Sequence, residues 1–268
     1  MKNSIERRKF LAGSVAAAAA AAGLGRTAKA QKAGKAKQEY YELREYRVKD
    51  AEKQKIVSNY LTKALVPALN RMGIDRVGAF TVQDKPKELT IFVLIPYPTL
   101  QALADLNGKL AADAAYQKAA AEMFALPKKD PAYIRIVSRL MKAFTGIPVL
   151  ELPAETKAKK PRMFELRVYE SHNDQKAALK VDMFNSGELQ VMRDTKLGPV
   201  FFGEMLVGDN VPNLTYMLSA ADMASHKAHW KTFGGHPEWV RMRGMAKYKD
   251  TVSKHTNWFL VPTAYSQI

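Results

Sequence analysis

The stretch Tyr41–Arg47, which reads YELREYR, recurs as Phe164–Glu170, which reads FELRVYE. The two copies lie 123 positions apart, so that Glu42 aligns with Glu165. In each copy apolar and polar side chains alternate with a period of two, which is typical of a β-strand that is buried on one face. The duplicated strand predicts a chain built from two halves with one plan.

A helix is predicted after each copy of this strand. In the first half, apolar residues recur at helical spacing from Ile56 to Leu69, and Gly73 follows as a residue that can cap the end of the helix. In the second half, the same spacing extends from Ala178 to Met192 and ends before Gly198. Each half therefore continues from strand to helix.

Two more strands and a second helix are predicted in each half. The strands are Val77–Val82 and Leu89–Ile95 around the turn Asp84–Lys87, and Val200–Val207 and Leu214–Leu218 around the turn Gly208–Asn210. The second helices are Thr99–Ala125 and a segment from Ala221 through Trp230 onward, with Tyr116 and Trp239 at matching positions.

Each half ends in an extended segment, Pro148–Leu152 in the first and Trp258–Pro262 in the second. The first half also carries a predicted helical insertion over Lys128–Phe144. Strand, helix, two strands, helix and strand is the plan of a ferredoxin-like unit, so the predicted class is α+β. Such a sheet has one uncovered apolar face. We therefore expect the tandem repeats to pair their sheets as a pseudo-dimer like a dimeric α/β-barrel.

The N-terminus carries a three-part export signal. Arg7–Leu11 is a twin-arginine motif, Leu11–Leu24 is an alanine-rich apolar stretch too short to span a bilayer, and Ala28–Ala30 is an A-x-A cleavage site. These features predict a twin-arginine signal peptide over residues 1–30 and a periplasmic or extracellular location. The expected organisation continues with a flexible leader at 31–38, a first half at 39–152, a linker at 153–161 and a second half at 162–268.

Composition excludes several classes of function. The chain has no cysteine, and therefore no disulfide, thiolate metal site or cysteine nucleophile. Its formal net charge is +16, but the lysines are spread along the chain and no nucleic-acid-binding motif accompanies them, so no nucleic-acid partner is predicted. No apolar run has the length of a membrane span. Phosphate-binding loops, a G-x-S-x-G elbow and an H-E-x-x-H helix are also missing from the sequence, which argues against a hydrolase.

The chain resembles the NIPSNAP family of the dimeric α/β-barrel group. The resemblance is carried by the two opening strands and by Trp230–Phe233, His236–Trp239 and Asn257–Thr263. The resemblance covers both halves, and the chain is similar to an exported bacterial branch of the family with two tandem domains. It implies the ferredoxin-like fold and the paired sheets, but it supplies no agreed reaction and no catalytic residues. Related dimeric α/β-barrel families include haem-handling proteins and small-molecule monooxygenases, which is an analogy of fold alone.

The first functional hypothesis is binding of a small apolar or aromatic ligand between the two sheets. Trp230, Phe233 and Trp239 have near-helical spacing and either pack in the core or line such a cavity. Tyr216 and Arg167 complete the candidate ligand-binding set. Arg167 has two interpretations: an anchor for an anionic ligand, or a partner of Glu165 in its own strand, which we favour.

The alternative hypothesis is a monooxygenase-like or haem- or metal-handling enzyme. His226 and His229 are three residues apart and share one helix face, and His236 follows as a third candidate ligand for haem iron or a divalent metal. No acidic residue completes a zinc motif, and exposed histidines on a basic helix are the competing interpretation. No cofactor is predicted by a motif. A cell-envelope protein held by its basic surface is a third hypothesis, and pairing of the halves between chains, as a homo-oligomer, is left open.

Overall fold

The computed structural model of the protein describes residues 37–83 and 88–268. The predicted signal peptide, residues 31–36 of the predicted leader and the predicted turn Asp84–Lys87 lie outside these residues. Across the described part of the chain, no helix is both long and apolar enough to cross a bilayer.

In the described residues, the first half forms four strands and five α-helices. In chain order these are β1 (Tyr40–Arg47), α1 (Ala51–Tyr60), a π-helical turn (Leu61–Leu65), α2 (Val66–Arg71), β2 (Gly78–Val82), β3 (Ile91–Tyr97), α3 (Leu100–Ala104), α4 (Leu106–Ala112), α5 (Ala114–Phe124) and β4 (Arg135–Ala143). A one-turn helix, α6 (Ala154–Lys157), lies in the connection to the second half.

The second half repeats the order of strands. Its elements are β5 (Met163–Glu170), α7 (Asp174–Met183), a π-helical turn (Phe184–Glu188), α8 (Leu189–Asp194), β6 (Pro199–Val207), β7 (Asn213–Ala220), α9 (Met223–Gly235), α10 (Pro237–Arg243), a 3-10 turn (Ala246–Tyr248) and β8 (Lys254–Pro262).

The eight strands close one barrel in the order β1-β3-β2-β8-β5-β7-β6-β4, and every neighbouring pair is antiparallel. Each half therefore contributes a four-stranded sheet of ferredoxin-like order. The two sheets join through β2 with β8, where Phe80 faces Pro262, and through β4 with β6, where Met141 faces Met205. The α+β prediction of tandem ferredoxin-like repeats in a pseudo-dimeric barrel is confirmed, and the halves pair within one chain.

The last strand of the first half was predicted at the wrong place. The fourth strand is Arg135–Ala143, inside the segment predicted as a helical insertion, whereas Pro148–Leu152 is not a strand. Ile136 and Leu140 are four residues apart, as are Val137 and Met141, so this segment has a pattern that also fits a helix. The segment forms a strand because it pairs with β1 on one side and with β6 on the other.

The helix predicted over Thr99–Ala125 is divided into α3, α4 and α5. Asp113 takes an extended conformation, and its carboxylate accepts a hydrogen bond from the backbone N–H of Tyr116 at 2.9 Å, so it ends one helix and caps the next. The predicted cap of the first long helix is confirmed, because Gly73 has a φ of 80°, which glycine adopts without strain.

Apolar side chains form a barrel interior and two outer layers. The interior contains Leu43, Phe92, Leu166, Met217 and their neighbours from both sheets. Helices cover the outer face of each sheet, with the core of the first layer built around Leu61, Val93 and Tyr116 and that of the second around Phe184, Tyr216 and Phe233. Because neighbouring residues of a strand point to opposite faces, Glu165, Arg167 and Tyr169 lie on the outer face of β5, beneath the helices.

Candidate functional site

A cavity of about 230 Å³ lies between the sheet and the helices of the second half. We call it the second-half pocket. Its lining residues come from β5, the helices and their π-helical turn, the segment before β8 and β8 itself: Tyr169, Lys180, Glu188, Trp230, Phe233, Trp239, Val252 and His255. Three of the five residues predicted to bind a ligand, namely Trp230, Phe233 and Trp239, are therefore brought together here.

Aromatic rings from α9 and α10 form one wall of the pocket. Trp230 and Phe233 are three residues apart on α9, and their rings meet edge to face with centroids 5.2 Å apart. Trp239 reaches the same cluster from α10, with its ring 4.6 Å from that of Phe233. The bend between the helices falls at His236, which caps α10 just before Pro237 at its first position.

Glu165 holds Trp230 from below. One carboxylate oxygen, Oε2, accepts hydrogen bonds from Trp230 Nε1 at 3.0 Å and from His226 Nε2 at 2.8 Å. The other oxygen, Oε1, is bonded to Arg167 and to Asn257 Nδ2 at 3.1 Å. Burial alone would raise the pKa of Glu165, but the hydrogen bond from His226 and the charge of Arg167 outweigh it and lower the pKa below its ordinary value.

Arg167 and Tyr216 lie behind the pocket wall and do not line the cavity. The guanidinium of Arg167 lies over the Trp230 ring, 4.8 Å from its centroid, and donates a hydrogen bond to the Tyr169 hydroxyl at 3.0 Å. Tyr216 is completely buried and donates to the same hydroxyl at 2.8 Å. The favoured interpretation of Arg167 as the ion-pair partner of Glu165 matches the contact between them. Arg167 therefore contacts Trp230 and Tyr169, and Tyr216 contacts Tyr169; both of the contacted residues line the pocket.

A buried ion pair forms the polar side of the pocket. Lys180 Nζ lies 2.7 Å from Glu188 Oε2, and only 6% and 3% of the two side chains are exposed. The ammonium group also lies over the ring of Phe184 at 4.4 Å and that of Trp239 at 5.6 Å. Burial raises the pKa of Glu188 above its ordinary value, because an ionised carboxylate is costly to desolvate.

The first half is filled at the corresponding place. The helices α1 and α7, and the π-helical turns that follow them, align at the same spacing of 123 residues, which puts Val57 at the position of Lys180 and Leu65 at that of Glu188. Tyr116 occupies the position of Trp239, and its hydroxyl is bonded to that of Tyr60 at 2.8 Å. Val57, Leu65 and Tyr116 are all buried in the apolar layer of the first half.

The three histidines predicted as metal ligands are separated by their contacts. His226 is buried against Glu165 and Trp230, His229 lines a different surface cavity near the connection between the halves, and His236 accepts the N–H of Glu238 as a helix cap. Throughout residues 37–83 and 88–268, no group of three histidine or acidic side chains is arranged to hold a metal ion. His226 and His229 are less than one turn apart on α9, but their side chains have different surroundings, and His236 follows the end of that helix.

The ligand cavity was predicted to lie between the two sheets. This position is wrong for Trp230, Phe233 and Trp239, which were proposed to line it. A cavity of about 400 Å³ does open at one end of the barrel, but its lining includes Leu43, Leu166 and Trp258 at the base and Arg139 with Asp209 at the mouth. The aromatic residues of α9 and α10 lie on the opposite face of the sheet, because these helices cover the outside of the barrel.

Five pocket residues were not identified from the sequence: Tyr169, Lys180, Glu188, Val252 and His255. A signal for two of them is present in the repeat itself. Aligning the halves on Glu42 and Glu165 puts a lysine and a glutamate at positions where the first half has valine and leucine. A charge at an otherwise apolar position of a helix marks a polar group in the buried layer.

Comparison with known proteins supports both the fold and the family. A structure of a candidate monooxygenase from Fusobacterium nucleatum covers 85% of this chain and 93% of its own, at 11% identity and a TM-score of 0.52. A candidate monooxygenase from Lactobacillus acidophilus covers 84% and 94%, at 8% identity and a TM-score of 0.55. These two likenesses show a shared fold.

A NIPSNAP-like domain protein from Burkholderia xenovorans covers 39% of this chain and 88% of its own, at 15% identity and a TM-score of 0.35. No curated protein sequence matches the chain. The model of the family described as NIPSNAP matches residues 41–129 and 164–267, which is more than half of the chain and includes both opening strands. The chain therefore belongs to the NIPSNAP family.

Proposed function

We propose that the protein binds a small aromatic molecule in the second-half pocket. The observation that carries this proposal is the cavity of about 230 Å³ walled by Trp230, Phe233 and Trp239. The equivalent positions of the first half are occupied by buried residues of an apolar layer, Val57, Leu65 and Tyr116. An apolar cavity of ~150 Å³ is enough to admit benzene. A single substituted ring therefore fits the pocket by size, and the aromatic walls offer it edge-to-face contacts.

The polar groups of the pocket define the kind of ring that would bind. Lys180 Nζ is a donor and Glu188 an acceptor, and both are buried beneath the aromatic wall. A ligand with one hydroxyl or carbonyl group can direct that group toward the pair and keep its ring against Trp230 and Trp239. A hydrocarbon with no polar group leaves the pair without a partner from the ligand.

Calorimetric titration with benzyl alcohol tests the proposal. We expect saturable binding of one molecule per chain, and a loss of affinity of about tenfold or more in Trp239→Ala, because one aromatic face of the site is removed. Val240→Ala is the matched control, since Val240 is the next residue of α10 and its side chain is exposed. Absence of saturable binding, or an equal loss in the control variant, would contradict the proposal.

We also propose that the protein acts outside the cytoplasm after export by the twin-arginine route. The support is the sequence of residues 1–30, with Arg7-Arg8 followed by an apolar stretch and an A-x-A site. A ligand-binding role in the periplasm or outside the cell fits a chain without cysteine, because its fold does not depend on the redox state of the compartment.

A further inference from the structure

We infer that Lys180 captures small aromatic aldehydes as an imine in the second-half pocket. This inference rests on the proposed binding of an aromatic ligand there. It adds a covalent step, a substrate class and a residue that carries the reaction. Three features of the structure support it: the Lys180–Glu188 pair is dispensable for the fold, it lines the cavity, and it holds an amine beside a proton carrier.

The first half shows that the fold does not need the ion pair. Val57 and Leu65 occupy the two positions there, and both are completely buried in an apolar layer. The elements are the same, with a ten-residue helix followed by a five-residue π-helical turn in each half. A buried ion pair contributes no more stability than well-packed apolar residues of similar volume, and often less. Packing alone therefore does not explain why Lys180 and Glu188 occupy these positions, whereas a role in the pocket does.

The second feature is the position of the amine. Lys180 and Glu188 are both lining residues of the second-half pocket, and the amine lies among the rings of Tyr169, Phe184 and Trp239. A lysine buried in an apolar pocket beside a general base is a usual form of a nucleophilic lysine. Lys176, on the same helix, is only half-buried and lacks this environment.

The third feature is the proton carrier. Glu188 Oε2 is within hydrogen-bond distance of Lys180 Nζ, and burial raises the pKa of its carboxyl group. Glu188 is therefore placed to take a proton from the Lys180 amine and to return it. Arg167 is the further charged group that acts on Glu188, and it favours the carboxylate.

The reaction balances without an oxidant or a further reactant. Lys180 transfers a proton to Glu188, and the neutral amine adds to the carbonyl carbon, so a C–N bond forms and the C=O π bond breaks. Glu188 protonates the carbonyl oxygen and takes a proton back from nitrogen, which gives a carbinolamine. Glu188 then protonates the hydroxyl group, the C–O bond breaks, water leaves, and the nitrogen lone pair forms a protonated imine beside the Glu188 carboxylate.

The chemical class of the ligand follows from the pocket. The aromatic wall selects a ring, the volume of about 230 Å³ holds one substituted ring, and the amine requires a carbonyl carbon without bulk around it. An aldehyde attached to the ring meets these conditions. Benzaldehyde is the simplest probe of the class, and benzyl alcohol is its counterpart that binds without the covalent step.

The test uses the purified protein with benzaldehyde and sodium cyanoborohydride, which reduces an imine to a stable secondary amine. We expect an intact mass increase of one benzyl group, located on Lys180 by peptide mapping, at a rate about tenfold or more above that of exposed lysines. An excess of benzyl alcohol should slow this labelling. The variants K180R and K180V/E188L should lose it, and circular dichroism would check that both are folded.

The possible outcomes separate the inference from the proposed function. If benzyl alcohol binds but the label is spread over exposed lysines, the imine is overturned and ligand binding stands. The same conclusion follows if Lys180 is labelled no faster than Lys176. If neither compound binds and Lys180 is not labelled, both the proposed function and the inference are overturned.

Discussion

Lys180 on α7 and Glu188, the last residue of the π-helical turn that follows, form an ion pair of 2.7 Å in the buried layer of the second half. Val57 and Leu65 occupy the same two positions of the first half, on α1 and at the end of the equivalent turn. The same sequence of elements thus holds a polar pair in one half and an apolar pair in the other. The chain contains its own control for the function of this pair.

Removing one partner of the Lys180–Glu188 pair should destabilise the fold, whereas replacing both partners should not. Lys180→Val alone leaves the Glu188 carboxylate buried without its cation, so we expect a loss of about 3 kcal/mol or more in the free energy of unfolding. The double variant K180V/E188L restores the residues of the first half, and its stability should stay within about 1 kcal/mol of the wild type or exceed it. Urea denaturation measures both values. A double variant as unstable as the single one would show that the pair is needed for folding.

Glu165→Gln should make the free energy of unfolding less dependent on pH under acidic conditions. The folded protein lowers the pKa of Glu165 below the ~4.3 of an unfolded chain, so the carboxylate stabilises the fold above that pH. This contribution is lost as the pH falls through the lower, folded pKa. Unfolding free energies measured between neutral pH and pH ~3 should therefore decline less in Glu165→Gln than in the wild type.

Glu42→Gln is the matched control for the role of Glu165 in binding. The first-half carboxylate also has a lowered pKa, with hydrogen bonds from Arg44, Ser138 and Tyr97, but it lies in the layer without the pocket. In both variants the free energy of unfolding should depend less on acidic pH. Only Glu165→Gln should weaken the binding of benzyl alcohol, since Glu165 is the carboxylate that accepts the hydrogen bond from Trp230. Equal weakening in the two variants would contradict this assignment.

Trp230→Phe should reduce ligand affinity with little effect on the fold. The phenyl ring keeps an aromatic wall but cannot donate to Glu165, so the ring is less well oriented; we expect affinity for benzyl alcohol to fall by about threefold to tenfold. Trp258→Phe changes the only tryptophan in the barrel interior and should leave affinity unchanged. Calorimetric titration of the two variants distinguishes the outer layer from the barrel mouth as the binding site.

Replacing both arginines of the twin-arginine motif with lysine should stop export. The motif is read as a pair, so R7K/R8K should keep the protein in the cytoplasm with its N-terminal segment uncleaved. Cell fractionation and N-terminal sequencing of the wild type and the variant measure this outcome. Lys32→Arg, which lies beyond the predicted cleavage site, is the control. Unchanged export of R7K/R8K would contradict the proposed route.

The position of the aromatic residues could be predicted only in part. Helical spacing accounts for the contact of Trp230 with Phe233, because residues three apart lie on one helix face. Trp239 joins them from α10, across the bend at His236. The side of the sheet on which the cluster lies could not be predicted from spacing. It depends on the helices covering the outside of the barrel, which is a property of the whole fold.

The sequence by itself determined the duplicated plan of this protein, since strand alternation, helix spacing and the repeat distance of 123 residues are local or translational patterns. Only the tertiary structure decided that Arg135–Ala143 is a strand and that Lys180 meets Glu188 beneath Trp239. The physical reason is that strand pairing and the burial of a charge depend on partners far away in the chain. Local propensity cannot specify those partners.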